Sequence, residues 1–285
     1  MNKSTNGVAN SVAAHYAGSN LLAAVRQALQ ASGKDCNALA PADLAPVDEF
    51  HVRGREATLE LAARAAPKTG EQVLDVGCGL GGSARHLAYV HGCNVYAVDL
   101  TESYVAAAHT LAQWVGLAGK VHFQCASALA LPYATGSFDL VWTEHVQMNI
   151  ADKRGFYGEL LRVLKPGGRL AFHDVFRGTT GAPHYPVPWA SHAGISHLIA
   201  PAAVQELLLH LGAQILEWED RSEAALAWFR RVIERQHQSG PPPLGVHILM
   251  GESAARKSEN MMQSLDGRSI AVVQAVIQKP RSPFR

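Results

Sequence analysis

The chain is poor in charge and in cysteine. Only 17% of its 285 residues are Asp, Glu, Lys or Arg, against about a quarter in an average globular protein. With 48% hydrophobic residues, that composition excludes intrinsic disorder and points to a compact fold. Lys and Arg number 25 and Asp and Glu 24, a formal charge of +1. No global basic field therefore exists to hold nucleic acid or an anionic membrane. The four cysteines, Cys36, Cys78, Cys93 and Cys125, show neither C-x-x-C nor C-x-x-H spacing. They offer no zinc site and no disulfide frame, and read as reduced small core residues. No run of about 18 uncharged apolar residues occurs, and Met1 to Asn10 lacks the apolar centre of a signal peptide. A cytoplasmic protein is expected. There is no internal repeat, and no low-complexity tract beyond Pro241-Pro242-Pro243.

What is present is an orderly alternation. Residues 1–66 read as a helical lead-in: Leu21, Leu22, Ala24, Val25 and Leu29 recur on one helical face, a polar joint runs from Ser32 to Val47, and Arg55 to Ala66 gives a second helix. From residue 67 short Val-rich runs alternate with helical stretches. Strands are predicted at Val73–Val76, Val95–Val98, Val121–Phe123, Phe138–Trp142 and Arg169–His173, with helices at Gly82–Val90, Ser103–Val115 and Arg154–Leu164. This is the signature of βαβ units and a mainly parallel sheet with helices on both faces. Residues 177–200 and 239–250, rich in Pro and Gly, read as lid segments. Around them fall helix Ala202–Leu211, strand Gln214–Trp218, helix Glu223–Gln238 and a final strand Ile270–Ile277.

Chemistry enters at Val73-Leu74-Asp75-Val76-Gly77-Cys78-Gly79-Leu80-Gly81-Gly82, a glycine-rich turn between a buried strand and a helix, with Asp99 closing the next strand. Read through Gly77, Gly79 and Gly82 it fits the dinucleotide pattern; read through Asp75, Gly77, Gly79 and Gly81 it fits the pattern of S-adenosylmethionine binders. Both use glycine for a tight turn and close backbone approach, and a helix N-terminus that attracts an anion. Three features separate them. Asp75 places a negative charge where an ammonium and a sulfonium gain from it and a pyrophosphate does not. Leu129-Ala130-Leu131-Pro132-Tyr133 with Ser137-Phe138-Asp139, and Leu161-Arg162-Val163-Leu164-Lys165-Pro166-Gly167-Gly168-Arg169-Leu170, follow in order.

On these residues the sequence resembles the class I S-adenosylmethionine-dependent methyltransferases, and within them the small-molecule enzymes of the sarcosine/dimethylglycine and quinone/tocopherol types. The resemblance is strongest over 70–175. It implies an α/β fold: a Rossmann-like seven-stranded mostly parallel sheet with the last strand antiparallel, a lead-in and cofactor cover at 1–66, and a methyltransferase domain at 67–285 with the two lids. The cofactor implied is S-adenosyl-L-methionine, with S-adenosyl-L-homocysteine as product. Carried over residue by residue, Asp75, Gly77, Cys78 and Gly79 face its methionine part, Asp99 and Leu100 the ribose and one adenine face, and Ser127 and Ala128 the adenine. Ser127 stands where the family often has an acid, so it accepts the adenine amino group more weakly. Glu144 contacts the cofactor through its backbone. Tyr16 and the segment Phe50-His51-Val52-Arg53-Gly54-Arg55 close over it, with Arg53 either a clamp on the carboxylate or a solvated surface residue.

Transfer from a sulfonium is an in-line displacement that needs alignment and a deprotonated nucleophile, and no metal. The acceptor is expected at the carboxyl ends of the fourth and fifth strands. There His145 is the candidate general base, and Met148, His173, His184, Tyr185, Trp189 and His247 are candidate acceptor contacts. The acceptor atom, N, O or C, stays open. Alternatives are a cyclopropane-type lipid-modifying transferase, an NAD-dependent oxidoreductase and a non-catalytic cofactor-binding module. The expected partner is a small-molecule acceptor, with a homodimer left open and neither nucleic acid nor membrane.

Overall fold

The computed structural model describes residues 21–281. In chain order the elements are α1 (Leu21–Ala31), α2 (Pro41–Asp48), α3 (Arg55–Ala65), β1 (Gln72–Val76), α4 (Gly82–His91), β2 (Asn94–Asp99), α5 (Glu102–Trp114), β3 (Val121–Cys125) and β4 (Phe138–Glu144). They continue with α6 (Lys153–Val163), β5 (Leu164–Arg177), α7 (Pro201–His210), β6 (Gln214–Asp220), α8 (Ser222–Ser239), α9 (His247–Met250), α10 (Ala254–Asp266) and β7 (Ile270–Gln278). The seven strands form one sheet in the order β3-β2-β1-β4-β5-β7-β6. All neighbours from β3 to β5 are parallel, and β7 runs antiparallel to β5 and β6.

Two layers of helix cover this sheet. On one face Phe156, Tyr157 and Leu160 of α6 and Val204 and Leu208 of α7 pack on β1, β4, β5 and β7. On the other, Leu61 of α3, Ala84 and Leu87 of α4 and Ala108 of α5 close over the strands. β1 contributes Val73, Leu74 and Val76, all fully buried, as a strand enclosed on both faces requires. Because α4 and α6 follow strands on opposite sides of the order reversal, a crevice opens at the carboxyl ends of β1 and β4. Open α/β sheets bind their ligands at such a reversal.

Three helices depart from the sequence expectation, the shortest being α9 within the segment 239–250 read as a lid. The joint 32–47 contains α2, which starts on Pro41 and runs through Pro46; Leu44 and Val47 pack there with Val25 and Leu29 of α1. Helix α10 was not anticipated. Its buried side is narrow, Met261 and Leu265 among polar residues, so the periodic signal is weak although the helix packs with Phe229 of α8 and Val272 of β7. The cysteines also differ from expectation: all are free, but only Cys78 and Cys93 are buried, and Cys125 is exposed at the end of the edge strand β3. Among the described residues no helix is long and apolar enough to cross a membrane.

Candidate functional site

A cavity of about 420 Å³ occupies the crevice. Its floor is the turn after β1. Gly77 has φ +77, and a Cβ there would lie 2.1 Å from Val146 Cγ2, so glycine is demanded both by conformation and by contact with the chain beyond β4. Gly79 has φ +53 with no atom within 4 Å of where a Cβ would stand. Its empty side opens on the cavity. The Asp99 carboxylate braces this turn, accepting the Gly79 N–H at 2.9 Å and the Thr101 N–H at 2.8 Å. Each carboxylate oxygen has a second lone pair for a ligand hydroxyl.

Beside the turn lies a buried acidic group. Asp75 is buried and its Oδ2 has no partner; burial, then the Glu144 charge, push its carboxyl well above the usual range. Glu144 Oε2 accepts from the Ser83 hydroxyl and, at 2.8 Å, from the Trp142 indole N–H, and burial raises its pKa to about 7. A ligand ammonium arriving here would favour ionisation of these acids and meet carboxyl oxygens at hand, Asp75 Oδ2 having no partner, and the open face of Gly79 leaves room for the chain that carries it. Asp75, Gly77, Cys78, Gly79, Asp99, Leu100, Ser127, Ala128 and Glu144 all line the cavity. The residues present fit S-adenosylmethionine.

The wall also carries an apolar set, Phe50, Met148, Ile150, Pro188, Trp189 and Leu249. The Trp189 indole N–H is used by Ser196 Oγ at 3.0 Å. Further polar groups on the wall are His51, His145, Asn149, whose buried Oδ1 has no partner, and Asp152. Among the described residues no lysine or arginine lines the cavity. Asp48, Ser83, Tyr104, Asn149 and Leu249 were missed by sequence reasoning; they lie on helices and connections whose pattern signals only packing.

His145 stands just beyond β4 in a left-handed conformation, φ +53, a strained backbone for a residue with a side chain. Its N–H donates to His173 O at 2.9 Å. Its Nε2 accepts the Val52 N–H at 3.3 Å, while His173 Nε2 donates to Val52 O at 2.9 Å. The peptide groups on either side of Val52 are thus gripped by two imidazoles, with ring centroids 5.2 Å apart. Burial, with His173 and His51 adding repulsion, holds His145 well below the usual histidine range. His173 falls to about 3, mainly through burial.

Several expected contacts lie elsewhere. Arg53 does not line the cavity: its guanidinium forms a bidentate pair with Glu60, at 2.7 and 2.5 Å, so it clamps α3 and not a cofactor carboxylate. It is no solvated surface residue either, being 7% exposed. His173 is fully buried behind His145. His184 is exposed, its N–H bonded to Ser264 Oγ, Tyr185 packs against the cluster around Val187 and Met261, and His247 opens α9 away from the cavity, which its neighbour Leu249 reaches instead. Tyr16 lies outside the described residues. Among the described residues no group of three His, Cys, Asp or Glu is arranged to hold a metal ion.

The family described as "Methyltransferase domain" matches residues 74–172, from β1 through most of β5. The chain is 30% identical over 175 residues to O-methyltransferase rstn1 of Aspergillus nomiae, covering 61% of this chain and 77% of that protein. It is 43% identical over 105 residues to a probable chloroplastic tocopherol O-methyltransferase of Oryza sativa subsp. japonica, covering 37% of this chain and 29% of that one. Matches to other curated relatives also span less than two thirds of their length, as with methyltransferase GfsG of Streptomyces halstedii at 50%. A geranyl diphosphate C-methyltransferase from Streptomyces coelicolor A3(2), solved with Mg2+, geranyl-S-thiolodiphosphate and S-adenosyl-L-homocysteine, superposes with a TM-score of 0.68 at 16% identity, covering 95% of this chain and 98% of that one.

Proposed function

The chain belongs to the class I S-adenosylmethionine-dependent methyltransferases, and from that premise we propose that it methylates a hydroxyl of a neutral, largely apolar small molecule. The observation that carries this reading is the cavity wall, which offers the apolar set Phe50, Met148, Ile150, Pro188, Trp189 and Leu249 and, among the described residues, no lysine or arginine. A diphosphate or carboxylate buried there would lose hydration without gaining a partner. Acids line the same cavity, among them Asp75, Asp99, Glu144 and Asp152, and would repel an anionic acceptor wherever they are ionised.

In this reading Asp75 and Glu144 receive the cofactor's ammonium, Asp99 its ribose, and Leu100, Ser127 and Ala128 its adenine. The bound cofactor supplies an electrophilic methyl whose departure leaves a neutral thioether. The protein aligns the acceptor, excludes water and takes its proton. Segments 177–200 and 239–250, which bring Trp189 and Leu249 to the wall, serve as lids. Oxygen is favoured because the rice and Aspergillus nomiae relatives are named O-methyltransferases.

The test is a screen with labelled S-adenosylmethionine against neutral phenols and alicyclic alcohols, amines, and phosphorylated or carboxylated analogues of the same skeletons. Label should pass to the neutral hydroxyl compounds; transfer confined to anionic analogues would overturn the reading. S-adenosylhomocysteine at a hundredfold excess over its dissociation constant should stabilise the fold by about 2.7 kcal/mol, and NADH should not.

A further inference from the structure

The partners of three imidazoles fix which nitrogen of each carries the proton. His145 Nε2 faces the Val52 N–H, which can only donate. That nitrogen therefore holds the lone pair, and a neutral ring has its hydrogen on Nδ1. His173 Nε2 faces Val52 O, which can only accept, so its hydrogen is on Nε2. While the cover segment is shut, His145 has no lone pair left for an acceptor, and His173 does not reach the cavity.

Among the described residues, His51 is the other imidazole on the cavity wall. Gly54 O, which can only accept, lies 3.1 Å from its Nε2, and around the same nitrogen stand Thr58 Oγ1 at 3.1 Å, Glu144 Oε1 at 3.3 Å and Glu49 Oε2 at 3.5 Å, the two acids accepting once ionised, with pKa values raised to about 7 mainly by burial. Nε2 must carry the hydrogen, which leaves Nδ1 as the basic nitrogen. Both carboxylates are buried, where they would stabilise an imidazolium far more than at a surface.

We propose, resting on the hydroxyl-methylating reading above, that His51 is the general base of transfer and that His145 and His173 are positioning residues that hold the cover closed through Val52. The acceptor O–H bond breaks as its proton passes to His51 Nδ1; the acceptor oxygen bonds the methyl carbon, whose bond to sulfur breaks with the electron pair leaving on the thioether. The imidazolium so formed faces Glu49 after α2, Thr58 on α3 and Glu144 at the end of β4, with the His145 and His173 rings 6.0 and 5.9 Å away and Asp48 nearby. Burial keeps the resting His51 ring below the usual histidine range, hence neutral and able to accept.

The first test needs no acceptor. Nitrogen-15 shifts of the histidine rings should show the Nε2–H form for His51 and His173 and the Nδ1–H form for His145; the opposite form at either His51 or His145 overturns the proposal. The second compares His51→Asn with wild type on phenols of falling pKa. Turnover should drop about 10²–10⁴-fold on weakly acidic phenols and recover on nitrophenols already ionised at the assay pH, with S-adenosylhomocysteine affinity within about threefold. A deficit equal for all phenols, or a collapse of S-adenosylhomocysteine binding, makes His51 a structural or cofactor residue and sinks the base assignment. If wild type methylates amines but no hydroxyl, the function reading fails, while the ring shifts still report on the tautomers.

Discussion

The Val52 amide donates to His145 Nε2 at 3.3 Å across 93 residues of sequence, and this bond joins the segment between α2 and α3 to the end of β4. It couples the placement of that segment to the state of the His145 ring. Whatever protonates His145 at Nε2, or removes the ring, releases one of the two bonds that hold Val52.

His145→Ala should therefore loosen the segment around Val52. The Val52 amide is expected to exchange several-fold to about tenfold faster with deuterium, matching the loss of one hydrogen bond of about 0.5–1.5 kcal/mol, while amides in β1 and β4 keep their protection. Exchange read by mass spectrometry over residues 50–54 checks this; unchanged exchange would mean that the contact contributes nothing in solution.

The two glycines at the turn should respond differently. Gly77→Ala drives a methyl into Val146 and should lower stability by more than 2 kcal/mol. Gly79→Ala meets no atom of the protein, so only the left-handed backbone resists it, at about 1 kcal/mol. Its methyl would point into the ligand space, and S-adenosylhomocysteine affinity should fall at least tenfold. Urea unfolding together with calorimetric binding separates the two.

Asp99→Ala should cost cofactor affinity about 10- to 150-fold, the loss of a charged hydrogen-bond acceptor contributing roughly 1.5–3 kcal/mol. The bracing of Gly79 and Thr101 goes with it, so part of that loss is looseness of the turn. Asp99→Asn keeps one carbonyl oxygen and should recover part of the binding. If both variants bind S-adenosylhomocysteine as wild type does, the ribose lies elsewhere.

Buried carboxyls make stability depend on pH in a definite direction. Glu144, with its pKa raised from 4.5 to about 7 mainly by burial, binds its proton more tightly folded than unfolded. Its contribution is present at low pH and lost as pH rises from about 4.5 through 7. Glu144→Gln keeps an oxygen for Ser83 and Trp142 and removes the titration. Without added cofactor, the stability of the variant relative to wild type should rise by roughly 1–3 kcal/mol between pH 5 and pH 8. Denaturant midpoints at the two pH values check it, and a parallel pair of curves would show that Glu144 does not titrate there.

The sequence by itself determined the alternation of strand and helix, the glycine turn and the acid at the end of β2, because these rest on local periodicity and on short-range spacing that a turn next to a ligand imposes. Asp75, Gly77, Gly79 and Asp99 all stand on one cavity as that spacing implied. Only the tertiary structure decided that Arg53 belongs to Glu60, that His173 sits behind His145 and not in the cavity, that the Val52 backbone is held by two imidazoles, and that α10, with its narrow apolar stripe, is a helix. Each of those rests on a partner supplied by another element, such as Val52 meeting His173 across 121 residues. A side chain's partner, and with it its protonation, is a property of that distant neighbour, which no local pattern carries.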